Sequence, residues 1–193
     1  MGEQSASIPW ALPSDGKVGL DGGARSLIRG EEIPMMNPDV EQAASSFLSR
    51  SDSAGVCRIV LDRPDAYNAL CLGLMEELVS TLEEIDRDPA VKVVVVEGAG
   101  RGFCAGHDLK EMRANPDPDF RSRTFETCSQ MMLAITRLRQ PVIAKVHGIA
   151  TAAGCQLVAT CDLALAADDA RFGTPGVNIG LFCSTPMLSL IHI

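Results

Sequence analysis

Residues 91–96 read VKVVVV, and this run limits most what the chain can fold into. Branched Cβ atoms favour extended backbone. The run lacks the polar alternation of a strand with one wet face, so it predicts a strand buried on both faces. Such a strand needs a layer on each side, which points to an α/β architecture.

The flanking sequence fits that choice. VCRIVLDRP (56–64) reads as a strand closed by Pro64. Residues 68–87 place Leu70, Leu74, Leu78, Leu82 and Ile85 at helical spacing, and Asp88 and Pro89 stop the pattern. Residues 120–139 predict a second amphipathic helix, with Phe125, Cys128, Met132, Ile135 and Leu138 on its apolar stripe. PVIAKVHG (141–148) is a strand, TAAGCQLVATCD (151–162) a short helix of small residues, and LALAADD (163–169) a strand. The stretch 170–186 is rich in turns. This alternation predicts crossover connections. Residues 1–51, rich in Gly, Pro, Ser and charge, read as a mobile or loosely docked extension.

Charge and cysteine usage exclude several classes. The net charge is −8, which argues against nucleic acid as a partner. No apolar run reaches membrane-spanning length. The seven cysteines contain no CxxC pair, and most sit in apolar segments, so they read as reduced, buried thiols. Three histidines share no ligand spacing with them, and no metal site is expected. MGEQSASIPW lacks the basic start and apolar core of a secretory signal. Together these features predict the cytoplasm, with the mitochondrion as the alternative.

After VKVVVV comes GRGFCAGHDL (100–109). GRGFCA matches a loose dinucleotide-binding pattern, G-x-G-x-x-A after a strand. That pattern needs a long helix next and an acid at the end of a second strand. Here NPDP at 115–118 interrupts the chain instead.

Two other stretches give the turn a different setting: RPDAYNAL (63–70) and HGIATAAGCQLVATCDLALAADDARFGTPGVNIG (147–180). In this order and spacing the three resemble the enoyl-CoA hydratase/isomerase, or crotonase, superfamily over about residues 53–186. The resemblance implies an α/β crotonase-like spiral of repeated ββα units with the C-terminal helices missing. It places the core at 52–186 and leaves MLSLIHI (187–193) as an aberrant tail. It implies an acyl-CoA thioester as ligand, with coenzyme A entering as part of the substrate and no tightly bound cofactor. A homotrimer or hexamer is implied for the intact family fold.

The resemblance also assigns roles. The backbone N–H groups of His107 and Ala153 would form an oxyanion hole for the thioester oxygen. The adenine end would meet Asp65, Ala66, Tyr67 and the turn at Ala105. His107, Asp108, Leu109 and Lys110 would line the pantetheine and thioester region. Lys110 has two readings, a phosphate contact or a solvated surface lysine. The small residues around Ala153 also have two, an open hole or close helix packing. The family's two catalytic glutamates would fall at Gln156 and Gly176, so both carboxylates are absent. Two functions remain open: a hydratase/isomerase-like enzyme, or a non-catalytic acyl-CoA binder or regulatory paralogue.

Overall fold

The computed structural model describes residues 46–180 and residue 183. Most of the extension and all of the 187–193 tail therefore lie outside the described residues. The elements run β1 (Leu48–Ser53), β2 (Val56–Leu61), a 3-10 turn (Pro64–Ala66), α1 (Leu72–Arg87) and β3 (Val93–Gly98). Then follow α2 (Leu109–Ala114), α3 (Pro118–Arg137), β4 (Val142–Val146), β5 (Ile149–Thr151) and α4 (Ala153–Thr160). β6 (Leu163–Ala166), β7 (Arg171–Gly173) and a second 3-10 turn (Pro175–Ile179) complete the described chain.

The valine run becomes β3, the middle strand of a five-stranded sheet ordered β1-β2-β3-β4-β6. β2, β3, β4 and β6 are parallel, and β1 pairs antiparallel on the edge. One face is fully dry. Ile59, Leu61, Val94, Val96, Val142 and Ala144 point into a core also filled by Leu74, Leu78, Leu82 and Ile85 of α1 and Met131 and Ile135 of α3. The other face differs from the sequence reading. Val93 and Val95 are only half-buried. Beside them Glu97 joins Arg58 on β2 to Lys145 on β4 through two ion pairs. Valine repetition reports backbone preference, and the neighbouring strands decide how dry each face is.

β1 begins inside the stretch read as an extension. Its sequence, LSRSDS, buries only Leu48 fully, as an edge strand can, so no apolar periodicity reveals it. Phe125 also leaves its expected place: it is 48% exposed, and Thr124, Thr127 and Met131 line the buried side of α3 instead. NPDP supplies the start of α3, with Asp117 accepting from the Asp119 N–H and Pro118 in the first turn. On β6, Leu163 and Leu165 are exposed. All seven cysteines are free, and five are buried. Among the described residues no helix is long and apolar enough to cross a membrane.

Candidate functional site

The 63–70 segment holds the glycine turn. Asn68 is completely buried, with φ of 54°. Its Oδ1 accepts from the Arg63 N–H at 2.9 Å, and its Nδ2 donates to the carbonyls of Ala99 and Gly102, each at 2.9 Å. The Ala105 N–H donates to the Tyr67 carbonyl at 3.0 Å. The turn thus meets the 3-10 segment holding Asp65 and Ala66. The Arg101 guanidinium lies over the Tyr67 ring, 5.2 Å from its centroid.

Next, the chain passes Leu70 as a short parallel bridge. The Leu70 N–H donates to the Gly106 carbonyl at 2.8 Å, and the Asp108 N–H donates to the Leu70 carbonyl at 3.0 Å. Residues 106 and 108 therefore engage Leu70, and the amide of His107 between them faces the opposite way. Asp108 caps α2, accepting from the N–H groups of Lys110 (3.0 Å) and Glu111 (3.1 Å). Its other oxygen accepts from Arg63 at 2.9 Å. Burial raises the Asp108 pKa, but these N–H donors and the guanidinium outweigh it and hold the carboxyl below its ordinary value. Leu109 and Lys110 follow on the exposed first turn of α2. Glu111 reaches back to accept from the Leu72 N–H at 2.9 Å, at the start of α1.

The second half of the site is the entry to α4. Ala152 has φ 50° and ψ −122°, a conformation that favours glycine, and its N–H donates to the Gly173 carbonyl at 2.8 Å. Ala153 opens the helix and is buried. The two halves approach closely at Gly106, which has φ of 89°. A Cβ there would lie 3.1 Å from the Ala153 nitrogen and 2.9 Å from the Thr151 carbonyl oxygen. At Gly154 a Cβ would fall 2.2 Å from the Cys104 carbonyl oxygen. The absence of a Cβ at Gly106 and Gly154 permits this close packing. Among the described residues, neither the His107 N–H nor the Ala153 N–H has a hydrogen-bond partner.

The side chains around these amides supply little proton chemistry. Gln156 lies one turn after Ala153, and its Oε1 is buried without a partner among the described residues. Gly176 sits in the second 3-10 turn, three residues after the Gly173 that holds Ala152. The His107 ring packs edge-on against Phe125, with centroids 5.2 Å apart. Burial pushes its pKa down, which favours neutral imidazole. Burial likewise raises the Cys104 thiol to about 12, so it is no nucleophile at neutral pH. Among the described residues no group of three His, Cys, Asp or Glu is placed to hold a metal ion. Arg63, Asn68 and Glu111 had no role in the sequence reading, although RPDAYNAL contained the first two.

Comparison with known proteins decides the lineage. A family model described as enoyl-CoA hydratase/isomerase matches residues 51–191. The chain belongs to the enoyl-CoA hydratase/isomerase family. It is 46% identical over 136 residues to enoyl-CoA hydratase domain-containing protein 3, mitochondrial, of Xenopus laevis, covering 70% of this chain and 46% of that protein. The protein of the same name in Homo sapiens is also 46% identical, with 70% and 45% covered. The chain thus spans about half the length of these curated relatives. Among solved structures, an enoyl-CoA hydratase of Mycobacterium smegmatis superposes with a TM-score of 0.73 at 51% identity, covering 76% of this chain and 57% of that one. Human enoyl-CoA hydratase domain-containing protein 3 superposes with a TM-score of 0.73 at 43% identity, covering 76% and 58%. The fold is therefore the expected crotonase-like α/β fold of repeated ββα units.

The cytoplasmic expectation is corrected by the same relatives, whose names place them in the mitochondrion. Reduced thiols separate reducing from oxidising surroundings, and they carry no information that distinguishes two reducing compartments.

Proposed function

We propose that this chain is an acyl-CoA binder of its family that receives the thioester oxygen at the His107 and Ala153 N–H groups and does not hydrate enoyl-CoA. The observation that carries this reading is the coincidence of two backbone donors without a partner among the described residues with two positions, Gln156 and Gly176, that lack a carboxylate. Fixed N–H donors suit an oxygen that carries or develops negative charge. A helix N-terminus adds its positive dipole end at Ala153.

Hydration needs groups that give and take protons. A carboxamide does neither at neutral pH, and Gly176 offers only backbone. Asp108 is the nearest carboxylate in the motif, but it caps α2 and pairs with Arg63. General acid–base groups typically contribute about 10²–10⁴-fold each. Their loss favours a non-catalytic binder or regulatory paralogue. The adenine end would rest near Asp65, Ala66, Tyr67 and Ala105, and the pantetheine would pass His107 to Lys110. Coenzyme A would be present only as part of the ligand. The relatives' names support a mitochondrial setting.

A second reading keeps catalysis: an isomerase or lyase step in which the substrate supplies its own acid or base. The preorganised pair of N–H groups favours it. Incubation with crotonyl-CoA tests the binder reading through the absorbance of the conjugated thioester. The binder reading predicts that the absorbance persists. Turnover near the usual enzyme rate, on the order of 10 s⁻¹, would overturn it.

A further inference from the structure

The two N–H groups at the site differ in what stands behind them. A peptide N–H donates more strongly when the carbonyl of the same peptide unit accepts a hydrogen bond, because a chain of such bonds polarises along its length. The Ala153 N–H shares its peptide with the Ala152 carbonyl, which accepts from the Gln156 N–H at 3.1 Å in the first turn of α4. A helix and its positive end therefore stand behind Ala153. His107 lies outside any helix, so the support of its N–H has another source.

That source is an arginine. The His107 N–H shares its peptide with the Gly106 carbonyl, which accepts from the Leu70 N–H at 2.8 Å. The Leu70 N–H shares its peptide with the Ala69 carbonyl, which accepts from Nη1 of Arg63. A guanidinium thus heads a line of hydrogen bonds that ends at the His107 N–H. The line is dry, since Ala69, Leu70 and Gly106 are all buried. A charged donor makes a bond about twice as strong as a neutral one. Along such a chain each bond strengthens the next by about 10–30%.

The guanidinium is held in place from two further sides. Its Nη2 donates to Asp108 at 2.9 Å. Its carbon lies 5.8 Å from the centroid of the Phe47 ring, within cation–π range. Phe47 is itself fixed. Its N–H donates to Glu77 of α1 at 2.8 Å, and its carbonyl accepts from the Asp62 N–H at 2.8 Å. Its ring lies against Gly73, where a Cβ would fall 2.7 Å from Cε2. At range the Arg63–Asp108 pair is close to neutral, so Arg63 acts on His107 through the bonds and not across space.

We propose that Arg63 is a positioning residue that strengthens the His107 N–H through the Ala69–Leu70 and Gly106–His107 peptide units, as the helix α4 does for Ala153. The proposal rests on the acyl-CoA reading above and adds to it the charge behind one half of the site.

Infrared difference spectroscopy of bound butyryl-CoA, labelled with ¹³C at the thioester carbonyl, reads the effect, because stronger donors lower the carbonyl frequency. Asp108→Asn removes the ion pair, keeps a side chain that caps α2, and leaves Arg63 on Ala69. Combined with Arg63→Met it removes both charges. Arg63→Lys keeps a cation beside Ala69. The shift to lower frequency on binding is expected to be about 10–30% smaller in the double variant. It is expected to stay close to native in Asp108→Asn and in Arg63→Lys. A native-sized shift in the folded double variant would overturn the proposal. An equal loss in all three variants would overturn it too, by tracing the effect to packing around the turn. Thermal melting identifies a variant that has not folded. If the double variant does not fold, Arg63→Gln, neutral but polar, takes its place with the same expected loss, and a native-sized shift there would overturn the proposal. Butyryl-CoA that fails to bind the unsubstituted chain, or binds it with no shift, would overturn the acyl-CoA reading and the proposal together.

Discussion

Asn68→Asp is nearly isosteric, yet it reverses the chemistry that holds the glycine turn. The native amide donates to Ala99 and Gly102 and accepts from Arg63, with all three distances at 2.9 Å, and the residue is fully buried. An ionised aspartate keeps the bond from Arg63 but turns an acceptor toward two carbonyl oxygens. A buried acceptor left unpaired costs about 1–3 kcal/mol. Two of them, less partial relaxation, give roughly 2–4 kcal/mol at pH 7. That is a large share of the ~5–15 kcal/mol typical of a domain. The loss should also depend on pH. Facing two carbonyls from a fully buried position, the carboxyl has a folded pKa above its unfolded value of about 3.9. Below the unfolded value both states are protonated, and the neutral acid can donate one of the lost bonds. As pH rises toward the folded value, the folded state holds more protons than the unfolded state, so stability falls. Urea unfolding across this range measures the effect. A cost under about 0.5 kcal/mol at pH 7, typical of a neutral surface change, would refute the reasoning. So would a cost that does not grow with pH.

Other perturbations probe each half of the site. Ala152 adopts φ 50° and ψ −122°. Ala152→Gly should raise stability by about 0.5–2 kcal/mol, from relief of about 1–3 kcal/mol of strain less the entropy cost of glycine; an unchanged or lower urea midpoint would contradict this. Arg63→Met removes the ion pair to Asp108 at side-chain exposures of 22% and 11%, and should cost about 1–3 kcal/mol at pH 7. Because the folded Asp108 pKa is depressed, its contribution is present above the unfolded value and is lost as pH falls through the folded one. The deficit of Arg63→Met should therefore shrink below about pH 4, and a constant deficit would show that the pair is not its source.

What could be read from the sequence depended on how local each signal was. Leu74, Leu78, Leu82 and Ile85 announce α1 because helical spacing and burial agree over four turns. β5 and β7, at three residues each, are too short for any periodicity to appear. β1 is hidden because an edge strand needs little apolar surface. The valine run revealed a strand but overstated its burial, since Arg58 and Lys145 on neighbouring strands place charge on the open face. At the site, the family resemblance singled out His107 and Ala153, and the structure adds that neither N–H has a hydrogen-bond partner among the described residues. The work of Asn68 was not legible: its partners Ala99 and Gly102 lie 31 and 34 residues away. That Gln156 Oε1 has no partner among the described residues was equally hidden, because a missing partner is a property of packing.

The central claim is that the His107 and Ala153 N–H groups receive a thioester oxygen. Infrared difference spectroscopy of butyryl-CoA labelled with ¹³C at the thioester carbonyl tests it directly. Two N–H donors polarise the C=O bond, so the carbonyl band of the bound ligand should shift to lower frequency than that of the free ligand. A bound ligand whose carbonyl band stays at or above its frequency in water would contradict the account.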